Sequence, residues 1–135
     1  MMRSVPLLIA VAALGACSTG PQPVRSAQAE GHLQKLLAGR VAGAPVTCLP
    51  DYQAKDMVVI DDGTILFRDG STYYRNDFNG GTCASLGRGN SLVTKQFGGA
   101  GLCRGDPADV VDLSSGFTVG SCTIGNFIPY AKPRA

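Results

Sequence analysis

Tryptophan is absent from this chain, histidine occurs once, and only 16% of the residues are charged. Each scarcity removes a class of function. A nucleic-acid binder gathers Lys and Arg into a patch or stripe. Here the net charge is +2 and the basic residues are scattered, so no nucleic-acid partner is expected. A Ser or Cys nucleophile usually needs a base beside it. The single histidine, His32, falls in a helical stretch near the amino terminus, beside the apolar stripe, and reads as a surface or boundary residue. No G-x-S-x-G, P-loop or dinucleotide fingerprint occurs; Gly98 to Gly101 lacks the Lys and helix that should follow. No catalytic residue and no cofactor are assigned. A helical bundle would carry more Leu, Glu, Lys and Ala, and fewer than the 18 glycines found here.

Long apolar runs are missing too. Val5 to Leu14 is the longest, and ten residues are too few for a hydrocarbon layer of ~30 Å at ~1.5 Å per residue. It follows a short positive segment, Met1 to Ser4, and precedes small residues, the order of a secretory signal peptide. The sequence Leu14-Gly15-Ala16-Cys17 resembles the bacterial lipobox, in which a Leu and two small residues precede an obligatory Cys. The resemblance implies a diacylglyceryl group on the Cys17 thiol, cleavage before it and acylation of the new amine. Several acyl chains, at ~0.8 kcal/mol per buried methylene, hold a protein firmly where one chain does not. Ser18 replaces the Asp of the inner-membrane retention signal, which implies an outer-membrane position facing the periplasm. The expected organisation is a signal peptide over 1–16, a lipidated Cys and flexible tether over 17–28, and a disulfide-stapled domain over 29–135. The tether assignment rests on the prolines and small polar residues of Thr19 to Gln28.

With Cys17 assigned to lipid, Cys48, Cys83, Cys103 and Cys122 remain. An even number in an exported domain implies two disulfides. Structural zinc uses closely spaced ligand pairs, whereas the gaps here are 34, 19 and 18 residues, so no metal site is assigned. Three connectivities are open. The nested one, Cys83 to Cys103 inside Cys48 to Cys122, is preferred because the inner pair would clamp a hairpin and the outer would join first strand to last.

Ala27 to Ala38 is the one helical stretch, with Leu33, Leu36 and Leu37 on one face and Gly39 as a stop. From Val41 onward β-prone runs alternate with turn residues. Val46 to Leu49, Met57 to Ile60, Thr64 to Arg68, Ser71 to Arg75, Ser91 to Phe97, Leu102-Cys103, Val110 to Leu113 and Phe117 to Ile124 read as strands. Asp62-Gly63 and Asp69-Gly70 are hairpin signals and make the second, third and fourth a meander. The expected fold is mainly β, a small antiparallel meander that is barrel-like or sandwich-like, with one short amino-terminal helix.

Arg104-Gly105-Asp106 could be an interaction tripeptide, although Gly and Asp in this order also fix a turn. Asp106, Asp109 and Asp112, with the pair Asp61-Asp62, lack the spacing of a calcium loop. Tyr73 and Tyr74 are adjacent on a strand and must face opposite sides, one into the core and one outward. Arg104, Asp106, Tyr73 and Tyr74 are the candidate interaction residues. Phe78, Phe127 and Tyr130 read as core.

Cys83-x-x-Leu86, Leu102-Cys103-Arg104-Gly105-Asp106 and Gly120-Ser121-Cys122-x-Ile124-Gly125-x-Phe127-Ile128-Pro129-Tyr130 together resemble small uncharacterised proteobacterial envelope lipoproteins. The resemblance covers most of the chain after Val46. It implies a lipidated, four-cysteine, β-rich domain and supplies no catalytic residue. The first functional expectation is a non-enzymatic binding or structural module, tethered to the membrane through Cys17, whose partner is an envelope protein or glycan. The alternatives are an inhibitor of a foreign enzyme, since a rigid stapled loop loses little entropy on binding, and a carboxylate-based hydrolase.

Overall fold

The computed structural model describes residues 24–134. The helix α1, Ala27–Leu37, starts where Ser26 caps it, its hydroxyl accepting the Ala29 N–H at 3.1 Å. It stops before Gly39, which adopts the left-handed conformation (φ 71°) that a side chain disfavours. Ten strands follow: β1 (Val41–Ala42), β2 (Cys48–Leu49), β3 (Asp56–Val59), β4 (Thr64–Asp69), β5 (Thr72–Asp77), β6 (Ser91–Thr94), β7 (Leu102–Cys103), β8 (Pro107–Val111), β9 (Thr118–Thr123) and β10 (Phe127–Ala131). They form antiparallel sheets ordered β1-β10-β5-β4-β3, β2-β7 and β6-β8-β9. The mainly β class and the β3-β4-β5 meander agree with the sequence.

The two meander turns differ. Gly70 supplies a positive φ (59°) in a two-residue link, as Asp69-Gly70 predicts. The first turn is wider. Its chemistry belongs to Asp61 rather than Asp62, because one Asp61 carboxylate oxygen accepts the N–H groups of Gly63 and Thr64, each at 2.9 Å.

The expected closing strand, Phe117 to Ile124, does not close the large sheet. β9 ends at Thr123, and β10 lies between β1 and β5. Pro129 makes β10 hard to read, since a proline normally argues against a central strand. Its carbonyl accepts from Gly43 N–H at 2.7 Å on the β1 side, so its missing donor also points that way, where the neighbouring strand is only two residues long. Buried Asn76 fixes the approach to β10, donating to the Gly125 carbonyl at 2.8 Å and accepting its N–H at 3.1 Å.

Alternation along β4 gives the domain two cores. Ile65 and Phe67 point to one face and join Leu49, Phe78, Leu86, Leu102, Val110, Ile124 and Phe127 beneath the smaller sheets. Leu66 points to the other and meets Leu33, Ile60 and Tyr73 beneath α1. The sheet is thus covered on both sides, a layered arrangement on the sandwich side of the expectation.

The disulfides are Cys48–Cys103 and Cys83–Cys122, so the nested pairing is wrong. It assumed a hairpin between Cys83 and Cys103. Instead β6 pairs with β8, and β7 pairs with β2 so that Cys48 and Cys103 stand directly opposite each other. Cys122 on β9 then meets Cys83, which is buried in the larger core. The two bonds interlace, since Cys83 lies inside the loop closed by the first and Cys122 outside it.

Candidate functional site

At the amino-terminal end of α1 a groove of about 1280 Å³ opens between the helix, the β3–β4 turn and the glycine-rich segment after β5. Gln28, Ala29 and His32 form the helical wall, Thr64, Arg75 and Asp77 belong to the sheet, and Gly80, Gly81, Gly87 and Arg88 form the opposite wall. Gly87 approaches Asp62 closely: a Cβ would sit 3.0 Å from an Asp62 carboxylate oxygen. That oxygen accepts the Gly87 N–H at 2.5 Å, and the Asp62 carbonyl accepts the Cys83 N–H at 2.5 Å.

Arg25 is the hub of the groove. Its Nε donates to Asp61 at 2.8 Å, one terminal nitrogen donates to Glu30 at 3.0 Å, and the other donates to the Thr64 hydroxyl and lies 3.9 Å from Asp77. Thr64, itself buried, donates its hydroxyl to Asp77 at 2.5 Å, and Arg75 Nε reaches the same carboxylate at 3.0 Å. Partial burial disfavours the Arg25 charge, but hydrogen bonds to Asp61 and Glu30 more than offset this and raise its pKa. The Glu30 carboxyl is lowered, first by the Arg25 hydrogen bond and then by Gln34.

Arg25 falls within the tether expected over 17–28. Residues 24–28 are instead part of the domain, because Arg25 is held by carboxylates 36 and 52 positions later and α1 begins at Ala27. Those sequence separations hide the network. The available signal was an Arg immediately before a helix whose first turn carries Glu30.

The expected interaction residues lie elsewhere and do not converge. In the Arg104 to Asp106 turn, Gly105 has φ 90° and the buried Asp106 carboxylate accepts the Cys103 N–H at 2.8 Å, so this acid builds the turn. Arg104 is exposed. Tyr73 is buried under α1 with the Arg40 guanidinium 4.8 Å from its ring centre. Tyr74 faces the other core, half-buried, and its hydroxyl accepts from Gln53 at 3.2 Å. The expectation that one tyrosine faces outward is therefore corrected: both sides of this sheet are covered, so both rings pack. Phe78 and Phe127 are buried.

The remaining acids are dispersed. Asp109 pairs with Ser121 at 2.8 Å and Lys95 at 3.1 Å, and Asp112 caps the β8–β9 turn through Ser114 at 2.8 Å. Ser121 chiefly lowers the Asp109 carboxyl, and Ser114 that of Asp112. Among the described residues no three His, Cys, Asp or Glu side chains gather to hold a metal. Cys17 lies outside the described residues.

Beside the groove, the lowered Glu30 carboxyl acts as a hydrogen-bond acceptor toward Arg25 and Gln34. The groove's volume exceeds the ~300–1,000 Å³ usual for small-molecule pockets. No protein family, curated protein or solved structure matches this chain.

Proposed function

We propose that the chain is an exported lipoprotein of the bacterial cell envelope, anchored by lipid on Cys17, whose domain acts as a binding module through the groove at the amino-terminal end of α1. Two disulfides suit an oxidising, exported compartment. No helix among the described residues is long and apolar enough to cross a membrane. The observation that carries the reading is the cysteine count. Four of the five cysteines pair with one another, and the odd one is Cys17, at the end of the lipobox-like Leu14 to Cys17. Ser18 favours the outer membrane, facing the periplasm. The groove's mixed charge and open, glycine-lined wall suit a polar partner in the envelope.

The test is labelling of growing cells with an alkynyl fatty acid, followed by intact mass measurement of the protein. Incorporation and a diacylglyceryl mass in the wild type, both lost in Cys17→Ala, support the anchor. A wild-type protein of unmodified mass in the soluble fraction rejects it.

A further inference from the structure

The tether that remains outside the described domain is short, and the point where it leaves is fixed. Arg25 is bound to Asp61 and Glu30 and lies close to Asp77, so the chain enters the domain at the groove. Cys17 precedes Arg25 by eight positions, a reach of ~28 Å at full extension. A domain of this size has a radius of gyration of ~13 Å and is therefore ~34 Å across, so a path over its surface from one pole to the other is ~50 Å. A lipid on Cys17 cannot hold the domain with the groove pointing away from the bilayer.

We propose that the groove side is the membrane-facing side of the domain, and that the partner it meets there is the headgroup layer of the bilayer that holds Cys17. This rests on the lipid anchor proposed above. The side chains around the opening agree with a polar contact rather than an inserted one. Gln28, His32 and Arg88 line it, and Arg88 and His32 have no ion-pair partner among the described residues. The carboxylates Asp61 and Asp77 are matched by Arg25 and Arg75, and Asp62 is turned to the Gly87 N–H. Phe97, one of the most exposed aromatic rings, lies on the other layer, next to Gln96, which lines a small recess with Met57 and Phe67 across the sheet.

The absence of tryptophan makes the test direct, since any introduced indole is a unique donor. Full-length mature protein carrying His32→Trp or Phe97→Trp, both at exposed positions, is purified with its lipid and placed in phosphatidylethanolamine–phosphatidylglycerol vesicles bearing a dansyl headgroup acceptor. Energy transfer from position 32 should be several-fold more efficient than from position 97. Inserting a Gly/Ser stretch of ~20 residues between Ser18 and Thr19 raises the full extension to ~95 Å, beyond the polar path, and the difference should then shrink while thermal unfolding of the domain is unchanged. Equal transfer from both positions in a protein whose mass shows the lipid overturns the orientation alone. A protein whose mass shows no lipid overturns the anchor and the orientation with it.

Discussion

On one face of the five-stranded sheet, eleven buried residues form the core shared with two smaller sheets, with Cys48–Cys103 bridging β2 and β7 and Cys83–Cys122 joining β9 to the segment after β5. On the other, Ile60, Leu66 and Tyr73 sit beneath a single helix that contributes Leu33, and its amino-terminal end is tied by one arginine among carboxylates. The first face is secured by area and by covalent bonds, so it should respond little to acid or salt. The second has less apolar area to lose and depends partly on charge. The groove lies where the two faces meet, one wall from α1 and the other from the segment after β5.

The contrast is broken most strongly by removing a staple. The loops closed by the disulfides span 55 and 39 residues, which in the chain-entropy account are each worth about 4 kcal/mol. The double substitutions Cys48→Ala/Cys103→Ala and Cys83→Ala/Cys122→Ala should each lower denaturant stability by about that amount, and combining them should leave the domain unfolded at 37 °C by circular dichroism. A cheaper probe of the same face is Gly120→Ala. The new methyl would fall on the Ala84 carbonyl oxygen, where only backbone can yield, so a loss of about 3 kcal/mol is expected in chemical denaturation.

On the helical face, Leu33→Ala removes the one fully buried helical side chain and should cost about 2–3 kcal/mol. Amide exchange in α1 should accelerate well beyond that in β8 and β9, because α1 has no covalent link to the sheet. Equal acceleration throughout would mean that the two faces unfold together.

The smallest effect belongs to Arg25→Gln, about 1 kcal/mol or less, since the ion pairs are partly solvated. Its signature is in titration. The Glu30 carboxyl is lowered in the folded protein, so its stabilising contribution is present above the unfolded-state pKa and is lost as the pH falls through the folded value. Carboxyl titration by NMR should place Glu30 below the ordinary glutamate range in the wild type and move it up in Arg25→Gln. Wild-type α1 should loosen on acidification into that range while the disulfide-bonded sheets persist.

What could be read in the sequence was local. The Leu33/Leu36/Leu37 stripe and Gly39 outline α1, and Asp69-Gly70 outlines a hairpin, because each depends on neighbours only. β10 was hidden by Pro129, whose missing donor is tolerated only because β1 is so short. The disulfide pairing was hidden because it follows from β7 choosing β2, a contact across 55 residues. The groove was hidden for the same reason, as Arg25 meets Asp61 and Asp77 only once the meander has formed. The Arg104 to Asp106 turn was legible, with Asp106 as a turn-builder.

The interlaced bonds also bear on how the protein is made. During export from the amino terminus, the domain cysteines emerge in the order Cys48, Cys83, Cys103, Cys122. No two consecutive members of that series are partners. An oxidant that joined each thiol to its predecessor on arrival would make a wrong bond every time. Reaching the native pairs then requires either that folding run ahead of oxidation or that a thiolate reopen and redirect the early bonds. Yield of this protein in the cell should therefore track disulfide-isomerase capacity rather than oxidase capacity.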